Sequence, residues 1–179
     1  MLADAGVAHD SIAPNVDERA LKMRLQGMND LPLRLAEEKA LSVSRLRGDD
    51  WIVGSDSVIR VDDRMFSKPR SYEEAAEHLR FFSGKAMMLT SGVALAKGGR
   101  VDWSEQDEAI LTVRPLSEPF IQSYLAAEWP QVGYCVGVFR MEGRGIQLFD
   151  RVEGSHFTIL GMPLMPLLAA LRSRGLLQS

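Results

Sequence analysis

Two acids and two lysines stand where charge needs a reason. Asp56 lies at the centre of "WIVGSDSVIRV", Trp51 to Val61, a run with the apolar and β-branched character of a strand. Gly54 comes two residues earlier, and glycine within a strand often marks a bulge or the close approach of another group. A carboxylate there must be solvated in a cleft, paired, or bound to a cation, because burying it alone is costly. The competing reading is an aspartate at a frayed strand end, bonded to its own backbone. Lys39 follows Leu35 by four positions and precedes Val43 by four, so it projects from the apolar face of its helix. A snorkelling stem with a solvated ammonium is its bland alternative. Lys68 precedes Pro69, which biases its backbone toward an extended form ahead of a helix. Glu18, in "NVDERAL", reads on its own as a loop acid, and Lys68 on its own as a surface lysine. Together the four suggest a divalent cation and a polyphosphate. Hard cations take carboxylate oxygens together with substrate oxygens, and lysines neutralise phosphate as point charges.

Other chemistries lack their residues. There is no P-loop, no GxGxxG after a strand, no HExxH, no CxxC pair and no GxSxG elbow. His9, His78 and His156 have no metal-ligand spacing. Cys135, in "GYCVG", has apolar neighbours and no base nearby in sequence, which favours an inert core thiol.

The elements that must hold these residues alternate between helix and strand. "NDLPLRLAEEKALSVSRLRG" is predicted as a helix that Asn29 or Asp30 caps, with Pro32 in its first turn and Gly48 as its stop. Its apolar stripe runs through Leu35, Ala36, Val43 and Leu46. The Asp56 strand then turns through "VDDRMF" into a second short strand. In "KPRSYEEAAEHLRFFSG", Ser71 and Glu74 form a capping box, and Ala75, Leu79 and Phe82 make one face. "AMMLTSGVALAKGGRVDW" reads as a strand, a Gly98-Gly99 turn and the start of another strand, and "EAILTVRPL" as a further strand. Ser117 caps the next helix, with Pro119 in its first turn. Glycines from Val132 to Gly161 suggest short strands and loops. The last helix presents Leu164, Leu167, Leu168 and Leu171. The pattern argues for an α/β domain with a mixed sheet.

Composition sets the outer bounds. A chain of 179 residues, 46% apolar and 25% charged, suits one domain with its own core. Its net charge of −3 gives no bulk attraction to a nucleic acid polymer or an acidic membrane, so any phosphate must be bound locally. No window is apolar enough to span a bilayer, and the start has no secretory pattern, which makes the cytoplasm the expected compartment.

Several stretches in order carry a resemblance. They are "VDE" (16–18), "AEEKA" (36–40), "GSDSV" (54–58), "SKP" (67–69), "HLRFFSGK" (78–85), "SGVAL" (91–95), "RPLSE" (114–118), "VGVFRMEGRG" (136–145) and "VEGSHFTILGMPL" (152–164). Their succession resembles the Maf family of nucleotide pyrophosphatases over nearly the whole chain. The resemblance implies hydrolysis of a nucleoside triphosphate between the α and β phosphates. It implies an α/β fold with an elongated mixed sheet flanked by helices, two lobes around a cleft, and often a homodimer. By the same resemblance Asp56 matches the proton acceptor for the attacking water and a metal contact, and Glu18 the acid that helps to hold Mg²⁺ or Mn²⁺. Lys39 and Lys68 match lysines that face the phosphates, Lys68 with a catalytic role and Lys39 in substrate binding.

The resemblance extends to base selection. Ser57 stands where many relatives have threonine, and Glu142 where pyrimidine-preferring members have glutamine. A carboxylate only accepts hydrogen bonds and carries negative charge, which suits a cationic methylated guanine and the branch acting on 7-methyl-GTP. Phe139 or Trp129 is a candidate to stack on the base, with core packing the alternative for Phe139. Relatives begin with a strand and an "SASPRR"-like loop, whereas this chain starts at "MLADAGV", and Met87 replaces a commonly polar position. The expectation is a single Maf-like domain, 1–179, truncated at its N-terminus. Two other functions compete with the enzyme: a non-catalytic nucleotide-binding or division-regulating protein of the same fold, and a structural module whose charges are surface features.

Overall fold

The computed structural model describes residues 1–25 and 27–178. Its centre is a five-stranded antiparallel sheet in the order β2-β1-β3-β4-β5, made of β1 (Ile52–Val61), β2 (Arg64–Phe66), β3 (Ala86–Lys97), β4 (Arg100–Val113) and β5 (Phe149–Glu153). The helices are α1 (Glu18–Arg24), α2 (Leu31–Arg47), α3 (Tyr72–Phe82), α4 (Glu118–Glu128), α5 (His156–Ile159) and α6 (Leu164–Ser173), and two short 3-10 turns lie between α4 and β5. The expected α/β class is present, and its sheet is antiparallel.

Local chemistry explains the turns. Asp62 and Asp63 have φ of 48° and 60°, and Gly98 and Gly99 have 58° and 73°. Paired positive φ values belong to the turns whose twist suits an antiparallel hairpin. Four expectations change. Asp30 precedes α2 but makes no capping bond; its carboxylate instead takes Arg34 Nε at 2.9 Å. Leu46, placed on the apolar stripe, is 82% exposed because the burial of α2 shifts to Leu35, Ala36, Ala40 and Val43. The two strands expected around "VDWSEQDEAILTV" are one unbroken β4, whose polar middle is only partly buried. Only half of the α3 capping box forms. Ser71 Oγ accepts from Glu74 N at 3.2 Å, while the Glu74 carboxylate takes Arg70 N at 2.7 Å, one residue further back.

The chain divides into two compact units. The first comprises Met1–Ser57, Ser91–Asp107 and Ser155–Ser179. Its core joins Val93 and Leu95 to Met162, Leu167, Ala170 and Leu171, with Trp51 and Trp103 packed against it. A second cluster, Ala36, Ala40, Ala94 and Ala96, uses small side chains, so α2 seats close to the strands.

The second unit comprises Val58–Thr90 and Glu108–Gly154. Phe66 anchors an aromatic group, with ring centroids 5.0 Å from His78 and 4.7 Å from Phe82. Helices α3 and α4 are clamped by Arg80, whose guanidinium donates to both carboxylate oxygens of Glu118 at 2.9 and 2.6 Å. Those bonds, with a third from Gln122, hold the Glu118 carboxyl down at about 2. Tyr124 donates its hydroxyl to Val138 O at 2.9 Å, and burial pushes its phenol up.

Candidate active site

The site is set by two glycines. A Cβ on Gly54 would stand 2.3 Å from Ala36 O and 2.7 Å from Ala40 N, and one on Gly92 would stand 2.6 Å from Pro32 O. Neither space admits a methyl group, so α2 lies backbone to backbone against β1 and β3. Side chains alternate along a strand, which puts Gly54 and Asp56 on one face of β1. The helix that touches Gly54 thereby carries Lys39 onto Asp56.

Lys39 Nζ is 3.5 Å from Asp56 Oδ1 and 2.8 Å from Glu18 Oε1. All three come from different elements, α2, β1 and the first turn of α1. Asp17 fixes that turn, its carboxylate accepting from Ala20 N at 3.0 Å. Glu18 also faces Lys22, 3.7 Å away. Lys39 and Asp56 are 17% and 13% exposed at the side chain, so their attraction is less screened than that of a surface pair. The alternative in which Lys39 only snorkels to water is excluded by these two contacts.

The two oxygens of Asp56 differ. Oδ1 accepts from Ser57 N at 2.9 Å and faces Lys39. Oδ2 is buried and has no hydrogen-bond partner among the described residues. A buried carboxylate oxygen without a donor is expensive, and one aimed at reacting groups is available to take a proton or a cation. Two acids of different elements and one orphaned oxygen fit a hard divalent cation.

Ser57, the next residue, points to the opposite face of β1 from Asp56. Its Oγ is 2.6 Å from Ser91 Oγ and 3.4 Å from Gly161 O. Ser91 Oγ donates to Thr158 O at 2.8 Å, and Thr158 Oγ1 donates to Asp107 Oδ2 at 2.5 Å. Ser91 and Thr158 are fully buried. The sequence singled out none of Ser91, Thr158 and Asp107. Their signal is the polar pair Thr90-Ser91 inside an otherwise apolar strand, and it names no partner.

Lys68 and Glu142 belong to the second unit. Lys68 is exposed beside buried Pro69 and forms no ion pair among the described residues. Glu142 is 3.7 Å from Arg140 Nε. Burial pushes the Cys135 thiol up; Glu142 adds to the rise, while Arg140 and Lys68 oppose it. The raised pKa keeps that thiol protonated and unreactive. Phe139 is buried against Phe149, at 4.9 Å between ring centroids, which makes it a core residue. Trp129 packs edge-on against Tyr72. Met87 is buried in the core. No group of three or more metal-binding side chains occurs among the described residues. Nor, among them, is any helix long and apolar enough to cross a membrane.

Comparison with known proteins places the chain in a family. A family model described as Maf-like protein matches residues 1–174. A "7-methyl-GTP pyrophosphatase" of Rhizobium meliloti (strain 1021) is 43% identical over 179 residues, covering 98% of this chain and 90% of its own. A "Nucleoside triphosphate pyrophosphatase" of Sphingopyxis alaskensis is 43% identical over 182 residues, covering 98% and 91%. Another of that name, from Nitrobacter hamburgensis, is 42% identical, covering 99% and 89%. With a family match across almost its full length and relatives this similar, the chain belongs to the Maf-like protein family.

Proposed function

We propose that this protein is a hydrolase that cleaves a nucleoside 5′-triphosphate between its α and β phosphates, releasing the monophosphate and pyrophosphate. The observation that carries the reading is Asp56, paired to Lys39 through Oδ1 and left with a buried, unpartnered Oδ2. The names of the similar proteins support the same reaction class.

The division of labour follows from that asymmetry. Ser57 N and Lys39 hold Oδ1 and fix the plane of the carboxylate. Oδ2 then orients a water and takes its proton as the water oxygen attacks the α phosphorus. The bond from that phosphorus to the α–β bridging oxygen breaks, and pyrophosphate leaves. Lys39 supplies positive charge to the phosphoryl oxygens, where fixed charge stabilises the charge that develops in the transition state. Lys68, an exposed cation of the second unit, adds a point charge for phosphate. Glu18 and Asp56 would hold a divalent cation, Mg²⁺ or Mn²⁺, which when bound polarises phosphoryl oxygens and neutralises charge.

Substrate choice rests on Ser57 and Glu142. The acceptor-only carboxylate of Glu142 favours a cationic, N–H-bearing base, so 7-methyl-GTP or another modified nucleotide is the proposed substrate. The test is pyrophosphate release measured across a nucleotide panel with Mg²⁺ or Mn²⁺, using the parent and Asp56→Asn. Release by the parent that falls steeply in the variant is expected. Equal rates in the two proteins would sink the mechanism.

A further inference from the structure

The hydroxyl of Ser57 has one proton, and the geometry around it decides where that proton points. Ser91 Oγ lies 2.8 Å from Thr158 O, a carbonyl that can only accept, so Ser91 spends its own proton there. The same carbonyl also accepts from Gly161 N at 3.0 Å, which pins it in place. Ser91 then has lone pairs alone to offer Ser57, and at 2.6 Å Ser57 must be the donor. The reverse arrangement would take the Ser91 proton away from Thr158 O and leave Ser57 only a long 3.4 Å contact to Gly161 O, so the first arrangement is the better bonded and directs the Ser57 proton into the protein.

We infer that Ser91 is a positioning residue that fixes Ser57 as a hydrogen-bond acceptor toward the nucleotide, so the site requires an N–H or O–H donor at that point. The inference rests on the reading that Ser57 meets the substrate, and deepens it by giving the polarity of the contact. Ser57 is partly exposed while Ser91 is fully buried, so Ser91 acts through Ser57 and not by touching ligand. A serine hydroxyl free to rotate would both donate and accept and would discriminate poorly. With its proton committed, it rejects a ligand that presents an acceptor, because two facing lone pairs leave both groups without a partner.

Removing the Ser91 hydroxyl takes away the 2.6 Å partner and leaves only the long contact to Gly161 O. Ser57 can then turn its proton toward the ligand. Thr158 O keeps its bond from Gly161 N, so the change leaves no carbonyl unpaired.

The experiment is calorimetric binding, with Mg²⁺ present, of the α,β-methylene analogues of 7-methyl-GTP, GTP, ATP, UTP and CTP, which resist cleavage, to the parent, Ser57→Ala, Ser91→Ala and the double variant. Melting temperatures are recorded alongside. The parent is expected to prefer some bases, and both single variants to compress the spread of dissociation constants by roughly tenfold. The double variant should be no flatter than either single, and Ser91→Thr should restore the spread. Should Ser91→Ala unfold, Ser91→Cys keeps the volume with a weak acceptor and gives the same reading. A parental spread retained in Ser91→Ala but lost in Ser57→Ala overturns the role of Ser91 alone, as do additive effects in the double variant. A spread untouched by Ser57→Ala, or absent from the parent, overturns the polarity inference. Failure of the folded parent to bind any analogue overturns the nucleotide reading with it.

Discussion

The ammonium of Lys39 stands 3.5 Å from Asp56 Oδ1, on the oxygen that also takes Ser57 N, and leaves the other oxygen of the same carboxylate bare. One side chain thus neutralises the aspartate without occupying the atom that would do its chemistry. Asp56→Asn keeps the shape and removes the base, so pyrophosphate release is expected to fall about 10²- to 10⁴-fold with an unchanged melting temperature. Lys39→Met should lower the rate as well. Because the two groups act together, the double variant should lose far less than the product of the singles. Fully multiplicative losses in steady-state kinetics would show that the pair does not work as a unit.

Gly54 sets the distance between that lysine and that aspartate. Gly54→Ala forces a methyl group to within 2.3 Å of Ala36 O, a backbone atom that only a shift of α2 can relieve. Overpacking of this kind costs about 1–3 kcal/mol, and kcat should fall with it although no reacting group has changed. Urea unfolding and kinetics on the same preparation test this. A variant as stable and as active as the parent would mean that α2 is not held by that contact.

Chelation provides a separate test of the acidic pair. Turnover is expected to stop when divalent cations are removed with EDTA and to return on adding Mg²⁺ or Mn²⁺. Glu18→Gln should raise the cation concentration needed for half-maximal rate while leaving the rate at saturation less affected. If Glu18→Gln and the parent show the same cation dependence, Glu18 is not a ligand.

Two groups of the second unit shape stability in acid. Burial lowers the His78 pKa below 6.5, against an opposing pull from Glu74 and Glu77 and in concert with Arg64. A depressed pKa contributes stability that is whole above pH 6.5 and is lost as pH falls through the folded value. Glu118 acts at lower pH, its contribution whole above 4.5 and lost as pH falls through about 2. His78→Phe should therefore flatten the stability profile just below pH 6.5, and Glu118→Gln only below pH 4.5. Melting temperatures across pH 2–8 would refute the assignment if either variant changed the other's window.

The sequence made Asp56 and Lys39 conspicuous because each puts a charge where periodicity calls for an apolar residue. That conflict is local, so it can be seen without a structure. What joins them is not local. The contact between Gly54 and the backbone of α2, and the chain from Ser57 through Ser91 to Thr158 and Asp107, depend on residues far apart in sequence, and a serine or glycine carries no mark of its partner. Glu18 was legible only through family resemblance, since its own surroundings are those of any helix start. The elements were mostly readable from turn and cap chemistry. Leu46 and the unbroken β4 were not, because which face of α2 is buried and where a strand ends are decided by what packs against them.

The two glycines under α2 carry a lesson for mutational scanning. Replacing side chains by alanine asks what each side chain contributes, and by that question Gly54 and Gly92 contribute nothing. Yet the space each leaves empty lets a backbone carbonyl of the helix approach closer than the contact distance of a methyl group. A full substitution map of this chain would show two positions intolerant of every other residue and chemically silent themselves, marking where the helix is docked.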